Sequence, residues 1–270
     1  MSPQYAHLLD RTVRYHEAGS GRTCILLHAF PLSADQWLPQ LHRIPPGWRF
    51  VAPDVRGFRG VGQAYQDVGL ETATMASHAA DVLQLMNHLD VDRAVIGGLS
   101  MGGYIALAVA RAAAGRLDGL VLADTKATAD TPEGQAGRDA MIARVQAEGV
   151  AAIADVMLPK LLGATTQRGQ PDLTEAVRTL ILRNTPEAVA SALGAMKTRP
   201  DSTPFLSGLA CPALVICGDE DVLTPPADSD AMVAALPAAT RVVIPHVGHL
   251  SNLEAPVAFN QALAEFLSRT

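Results

Sequence analysis

Six short apolar runs, rich in β-branched residues and separated by helix-length segments, constrain this chain more than any other feature. They read T-C-I-L-L-H (23–28), W-R-F-V-A-P-D (48–54), R-A-V-I-G-G (93–98), L-D-G-L-V-L-A-D (117–124), A-L-V-I-C-G-D (213–219) and R-V-V-I-P (241–245). Apolar on both faces, such strands belong in a parallel sheet covered by helices. Helical patterns at 72–90, 101–114, 226–236 and 251–269 supply the cover. Strand followed by helix, repeated, predicts an α/β fold with a mostly parallel central sheet.

One interval breaks the rhythm. Between Ala127 and Ser207 there is no strand, only helical stretches near 136–162 and 172–197 around the polar segment G-A-T-T-Q-R-G-Q-P. About 80 residues without a strand is too long for an ordinary crossover, so the interval reads as a helical insertion over the sheet. The expected organisation is a core of 1–126 and 208–270 carrying an inserted helical unit at 127–207.

At 97–104 the chain reads G-G-L-S-M-G-G-Y, where one apolar run hands over to a helix. Within it, Gly98-Leu99-Ser100-Met101-Gly102 has the form G-x-S-x-G. Such a serine sits on a tight strand-to-helix turn, and the flanking glycines remove Cβ atoms that would strike neighbouring segments. The following helix offers its N-terminal dipole and free N–H groups to developing negative charge. A serine hydroxyl still needs a base, and an acid to orient that base. Downstream, G-D-E-D-V-L-T-P-P (218–226) follows one apolar run, and H-V-G-H-L-S-N-L-E-A-P (246–256) follows the last. The order Ser, Asp, His is the one used on this type of sheet.

On these motifs the chain resembles the α/β-hydrolase superfamily, and is similar to its small serine carboxylesterases and 3-oxoadipate enol-lactonase-like enzymes. The resemblance runs from about Val13 to Phe266, weakest in the helical insertion, which corresponds to a cap after the sixth strand. It implies Ser100 as nucleophile and His249, in G-H-L-x-N-L-E-x-P, as base; His246 reads as a loop residue. The acid falls three residues beyond the glycine ending its strand, which selects Asp221 over Asp219 and Glu220; Asp124 is the rival, because some relatives carry the acid there. The oxyanion donors are the backbone N–H groups of Met101 and Phe30. Where the family usually has His-Gly, this chain has His28-Ala29, so a methyl group stands where glycine is common. His28 is expected to brace that loop, and His28 and Trp37 are candidate pocket residues.

The remaining features narrow the function further. Lys+Arg of 21 against Asp+Glu of 27 leave a net charge of −6 with no basic cluster, so nucleic acid is not an expected partner. No basic segment leads into an apolar one near residue 1, and no apolar stretch approaches a membrane span; a cytoplasmic location without membrane is the expectation. Cys24, Cys211 and Cys217 lack metal spacing and read as buried, reduced thiols. His78 and His88 read as surface or core polar residues, and neither metal nor cofactor is implied. The expected partner is a small ester or lactone, cleaved through an acyl-enzyme intermediate. The alternatives are an enol-lactonase with the same triad, whose product-type carboxylate would want a cation in the pocket, and a fold member that binds without turnover. Arg138, Arg144, Lys160, Arg178 and Arg183 lie in the insertion as candidates for that cation.

Overall fold

The computed structural model describes residues 2–58 and 73–270. Its strands are β1 (Gln4–His7), β2 (Thr12–Gly19), β3 (Arg22–Leu27), β4 (Trp48–Pro53), β5 (Ala94–Leu99), β6 (Leu117–Ala123), β7 (Ala213–Gly218) and β8 (Ala239–Ile244). They join in one sheet of order β1-β2-β4-β3-β5-β6-β7-β8, antiparallel at β1–β2–β4 and parallel from β4 to β8. β5 and β7 are buried along their whole length, as continuous apolar runs require.

β1 and β2 carry no apolar run and are implied only by the resemblance, which places the cap after a sixth strand. β1 is an edge strand with one buried residue, and β2 buries polar side chains in company with partners from other segments. Arg14 donates to Asp54 at 2.9 Å and to Asp35 at 2.6 Å, and His16 Nε2 lies 2.6 Å from the same Asp35 oxygen. A polar sequence therefore occupies a half-buried strand because its charges are matched in three dimensions.

The long helices are α2 (Met75–His88), α3 (Met101–Ala113), α4 (Pro132–Glu148), α5 (Val150–Leu161), α7 (Pro171–Leu182), α8 (Pro186–Lys197), α10 (Pro226–Ala235) and α12 (Pro256–Leu267). Short ones are α1 (Leu38–Leu41), α6 (Ala164–Gly169), α9 (Thr203–Leu206) and α11 (Ser251–Glu254). The pattern at 72–90 becomes α2, opened by a capping box in which the Thr74 hydroxyl accepts from Ser77 N–H and Ser77 Oγ from Thr74 N–H; Thr72 lies outside the described residues. The pattern at 251–269 splits into α11 and α12 because Pro256 cannot donate and keeps Ala255 out of helical geometry, at φ −133°, ψ 64°. Gly149, at φ 80°, likewise divides 136–162 into α4 and α5.

All six helices between β6 and β7 lie in the interval read as an insertion. Several bonds fasten them to the sheet-bearing part. Asn184 Nδ2 donates to Pro31 C=O at 2.8 Å, and Leu250 N–H to Leu161 C=O at 3.1 Å. The Arg199 guanidinium stacks 4.1 Å from the centre of the Tyr104 ring, joining the end of α8 to α3.

The order of strands positions the site. From β3 the chain passes to β4 on one side, and later to β5 on the other, so β3 and β5 form the point where the winding reverses. Ligands of open α/β sheets bind outside the strand carboxyl ends at such a point. The loop after β3, the turn after β5 and the loops after β6, β7 and β8 all open at this edge. Of the three thiols, Cys24 and Cys217 are buried as expected, whereas Cys211 is half-buried, and none is bridged. No helix among the described residues is long and apolar enough to cross a membrane.

His78, on the buried face of α2, is a source of acid sensitivity. Among the described residues neither ring nitrogen has a hydrogen-bond partner, and burial, with Arg11, Arg56 and His28 nearby, pushes its pKa down to about 3 from 6.5. Because the unfolded chain takes up this proton more readily than the folded one, the neutral ring's contribution is complete above about pH 6.5 and is lost as pH falls toward 3. The expected slope is up to about 1.4 kcal/mol per pH unit. Urea midpoints measured from pH 7 to 4.5 should fall more steeply for the native chain than for His78→Leu; parallel curves would refute this assignment.

Candidate active site

Ser100 sits between the last residue of β5 and the first of α3, at φ 56° and ψ −113°. Positive φ is rare for a side chain other than glycine and marks local strain held by the surroundings. Two neighbours make the turn possible. A Cβ on Gly98 would stand 2.0 Å from the Gly102 carbonyl oxygen, and one on Gly102 would stand 2.0 Å from that of Leu27. Neither backbone oxygen can move aside, so both positions require glycine. The serine's own backbone is then clamped: its N–H donates to Ala123 C=O at 2.9 Å, and its C=O accepts from the Thr125 hydroxyl at 2.8 Å.

The loop after β7 brings in Asp221. Its Oδ2 accepts from His249 Nδ1–H at 2.8 Å and from the Thr224 hydroxyl at 2.7 Å, while Oδ1 accepts from the N–H groups of Leu223 and Thr224 at 2.8 and 3.1 Å. Burial alone would raise this carboxyl, but His249 beside it and the bonds from His249 and Thr224 outweigh burial and hold it below the usual carboxylate range. An Nδ1–H committed to Asp221 leaves the lone pair of His249 on Nε2. Asp221 and His249 are both buried, whereas Val222 between the acid and its partner Thr224 is exposed.

Asp124 takes a different place. Its Oδ1 accepts from Gly218 N–H at 2.9 Å and its Oδ2 bonds to the Ser251 hydroxyl, so it touches the end of the acid's strand and the loop of the base but not His249. Burial and the neighbouring Asp221 charge push its carboxyl well above the usual range, against the bonds from Ser251 and Gly218. Two adjacent buried carboxyls thus divide the states between them, Asp221 toward the anion and Asp124 toward the neutral acid. Of the other acids weighed, Asp219 accepts from His246 N–H at 2.6 Å and Glu220 from Thr165 N–H at 2.8 Å, both away from the His249 ring. His246 is an exposed loop residue at φ 63°.

The loop after β3 carries Phe30. Ala29 N–H donates to Gln36 Oε1 at 2.8 Å, and His28 ties the loop to the segment after β4, Nδ1–H donating to Ala29 C=O at 2.9 Å and Nε2 accepting from Val55 N–H at 3.0 Å. Ala29 has no positive φ, so its methyl group is accommodated without the glycine common at this place. Among the described residues, the N–H groups of Phe30 and Met101 are bonded to no other protein group. His28 and Trp37, the two candidate pocket residues, do not line the cavity. Both are fully enclosed: His28 against Phe58, with ring centres 5.1 Å apart, and Trp37 against Phe259 at 5.8 Å. Each serves the loop or the core from behind.

Two residues that hold the segment of the base escaped the sequence reading. Glu254 is buried, and its carboxylate accepts from Gly248 N–H at 3.0 Å and Leu250 N–H at 3.2 Å, either side of His249, and from Gly163 N–H at 2.8 Å. Asn252 donates to Gln36 C=O at 3.1 Å and accepts from Gln36 Nε2 at 3.2 Å, so one buried amide pair links the base's segment to the loop of Phe30. Both lie inside the quoted N-L-E-x-P stretch, which signalled a motif but not its bonds.

Ser100 and His249 open into a cavity of about 440 Å³. From the sheet side it is lined by Phe30, Tyr104, Lys126, Leu223 and Thr224; from α4, α5 and α8 come Arg138, Met141, Met157, Lys160 and Met196, among others. A hydroxyl on a strained turn, an acid-oriented imidazole and two free backbone N–H groups, one at a helix start and one in the loop after β3, are the parts needed for acyl transfer.

Comparison with known proteins agrees with the fold. A family model described as the alpha/beta hydrolase fold matches residues 23–256. The chain is similar to the solved structure of a thermophilic esterase from Thermogutta terrifontis with malate bound, at 38% identity and TM-score 0.92 over 100% of this chain and 99% of that one. It is similar to the enol-lactonase from Burkholderia xenovorans LB400, at 29% identity and TM-score 0.88 over 98% and 100%. Among curated proteins, 3-oxoadipate enol-lactonase 1 of Acinetobacter baylyi is 27% identical over 86% of this chain and 83% of its own.

The bonding of Asp124 generates a test. Asparagine can accept from Gly218 and donate to Ser251, so Asp124→Asn should keep stability within about 1 kcal/mol, while Asp124→Ala leaves two buried groups unpaired and should cost about 2–6 kcal/mol. Urea denaturation of the two variants reads the difference, and equal losses would mean that the carboxylate charge itself is required.

Proposed function

Since the chain belongs to the α/β-hydrolase family, we propose that it is a serine hydrolase cleaving carboxylic esters of small to medium size through an acyl-enzyme intermediate. The observation that carries this reading is the 2.8 Å bond from His249 to Asp221 at the wall of the cavity that also holds Ser100 on its strained turn. The esterase of T. terrifontis and the two enol-lactonases support the same chemistry by likeness.

In the proposed reaction, Ser100 Oγ attacks the ester carbonyl carbon while its proton passes to Nε2 of His249. Asp221 holds the ring by Nδ1–H and stabilises the imidazolium that forms. The carbonyl oxygen becomes an oxyanion, received by the N–H groups of Phe30 and Met101, and pre-aimed donors of this kind are worth about 10²–10³-fold each. When the tetrahedral intermediate collapses, the alkoxide leaves with the proton from His249. Water then repeats the sequence: His249 takes its proton, the hydroxide attacks the acyl carbon, and Ser100 departs reprotonated as the acid is released. The helices of 127–207 act in this reading as a cap that walls the cavity.

The enol-lactonase reading differs only in substrate, a cyclic ester opened by the same steps, and the similar lactonases favour it as the runner-up. A binding protein without turnover would leave the nucleophile unreactive.

Labelling by a fluorophosphonate tests the nucleophile, since it requires an activated serine; adduct on Ser100 is expected, and its absence would overturn the reading. Initial rates on 4-nitrophenyl esters from acetate to decanoate, beside a muconolactone-type enol-lactone, then separate esterase from lactonase. Ser100→Ala should lose up to about 10⁶-fold in kcat. Because His249 acts only as the neutral base, kcat/KM should fall with acid on a single protonation. A kcat/KM that does not fall with acid would remove His249 from the mechanism.

A further inference from the structure

The cavity wall is basic in a chain that is acidic overall. The whole sequence carries a net charge of −6, yet the wall presents three basic side chains, Lys126, Arg138 and Lys160, against one carboxylate, Asp130. That carboxylate is already engaged: Arg138 Nε donates to one of its oxygens at 2.9 Å and Arg199 Nη1 lies 2.7 Å from the other. Burial alone would raise Asp130, but the two guanidinium groups outweigh it and keep it ionised. Asp130 is therefore already matched by two guanidinium groups, and Lys126 and Lys160 are the cavity cations that no carboxylate of the protein pairs among the described residues.

Lys126 follows Asp124 by two residues, just past the end of β6, and is half-buried at the wall that carries Ser100 and His249. Lys160, exposed near the end of α5, stands across the same cavity. Among the described residues neither ammonium makes a hydrogen bond or an ion pair. Asp228 senses the Lys126 charge, which favours its anion while burial opposes it, but the two lie beyond ion-pair distance. The rest of the lining is largely apolar, including Phe30, Met141, Met157 and Leu223. Low-polarity walls focus the field of such charges into the cleft and concentrate anions there. A neutral ester gains nothing from this arrangement.

We propose that the substrate is an ester or lactone carrying an ionised carboxylate, with Lys126 as its principal counter-ion and Lys160 as the second. This assignment deepens the hydrolase reading and rests on it for turnover, though not for binding. Two separate ammonium groups, flexible point charges with no nest of backbone N–H groups beside them, suit a monoanionic carboxylate better than a phosphate.

The test compares monoethyl glutarate with its neutral isostere, ethyl 5-methylhexanoate, in a pH-stat at low ionic strength, and measures glutarate binding by calorimetry to Ser100→Ala. The native chain should favour the anionic ester by about 10–100-fold in kcat/KM, the range of a charge-assisted contact. Lys126→Met should cut that ratio at least tenfold, Lys126→Met/Lys160→Met should bring it to about one, and salt should weaken it. A native ratio at or below one, or a ratio unmoved in the double variant, would overturn the proposal. If neither ester is turned over in a Ser100-dependent way, the hydrolase reading fails by itself. Glutarate binding that the double variant loses would then still support a carboxylate site, and no glutarate binding would overturn it.

Discussion

The bond from Ser100 N–H to Ala123 C=O, at 2.9 Å, is the contact on which the site depends. It ties the turn after β5 to the end of β6, and it is reinforced by the Thr125 hydroxyl on Ser100 C=O. Asp124, between these two anchors, faces the other way and holds Gly218 at the end of β7 and Ser251 beyond β8. Three consecutive residues thus fasten the segments of the nucleophile, the acid and the base to one strand end. A serine at φ 56° would relax into an ordinary turn without such over-determination. The glycines at 98 and 102 are permissive, since they let the backbones approach; the hydrogen bonds to β6 are what hold the shape.

Electrostatics divide the roles of the two buried acids. Asp221 and Asp124 are neighbours that influence each other's titration, and both are removed from water. Asp221 has the imidazole of His249 and the hydroxyl of Thr224 to stabilise its negative charge, so the anion resides there. Asp124 has one backbone N–H and one hydroxyl, a set that suits a neutral acid equally well. The same economy governs the wall of the cavity, where Asp130 is neutralised twice over and the two lysines are left unmatched. Buried charge is tolerated where it is paired, and the two unmatched lysines, Lys126 half-buried and Lys160 exposed, stand at the space a ligand would enter.

Much of this was legible in the residues. The strand runs at 23–28, 48–54, 93–98, 117–124 and 213–219 lie within one residue of the observed β3 to β7, because a strand buried on both faces must be apolar throughout. β1 and β2 were not legible, because their polar side chains find partners distant in sequence, as Arg14 does in Asp35 and Asp54. Helix boundaries followed glycine and proline chemistry, at Gly149 and Pro256, once the backbone could be seen to use it. Lys126 escaped notice because it lies between the end of β6 and the first following helix, where no periodicity marks a residue as facing anything. Trp37 and His28 were placed toward the pocket by their nearness in sequence to Phe30, yet a loop has two sides, and they occupy the inner one.

By itself, the sequence determined the fold class, the strained turn at Ser100 and the order of the three segments that meet beside it. Those follow from local rules: apolar periodicity, the steric need for glycine, and the turn chemistry at strand ends. Only the tertiary structure decided which carboxylate meets His249. The register that sets Leu99 beside Ala123 and Ala123 beside Ile216 brings Asp124 and Asp221 to the same edge, so proximity to the edge cannot choose between them. The direction each side chain takes depends on hydrogen bonds from Gly218, Ser251 and Thr224, supplied by segments far apart in sequence. The charge of the cavity likewise depends on which arginines reach Asp130. Such pairings are long-range and geometric, and a one-dimensional pattern carries no distance between them.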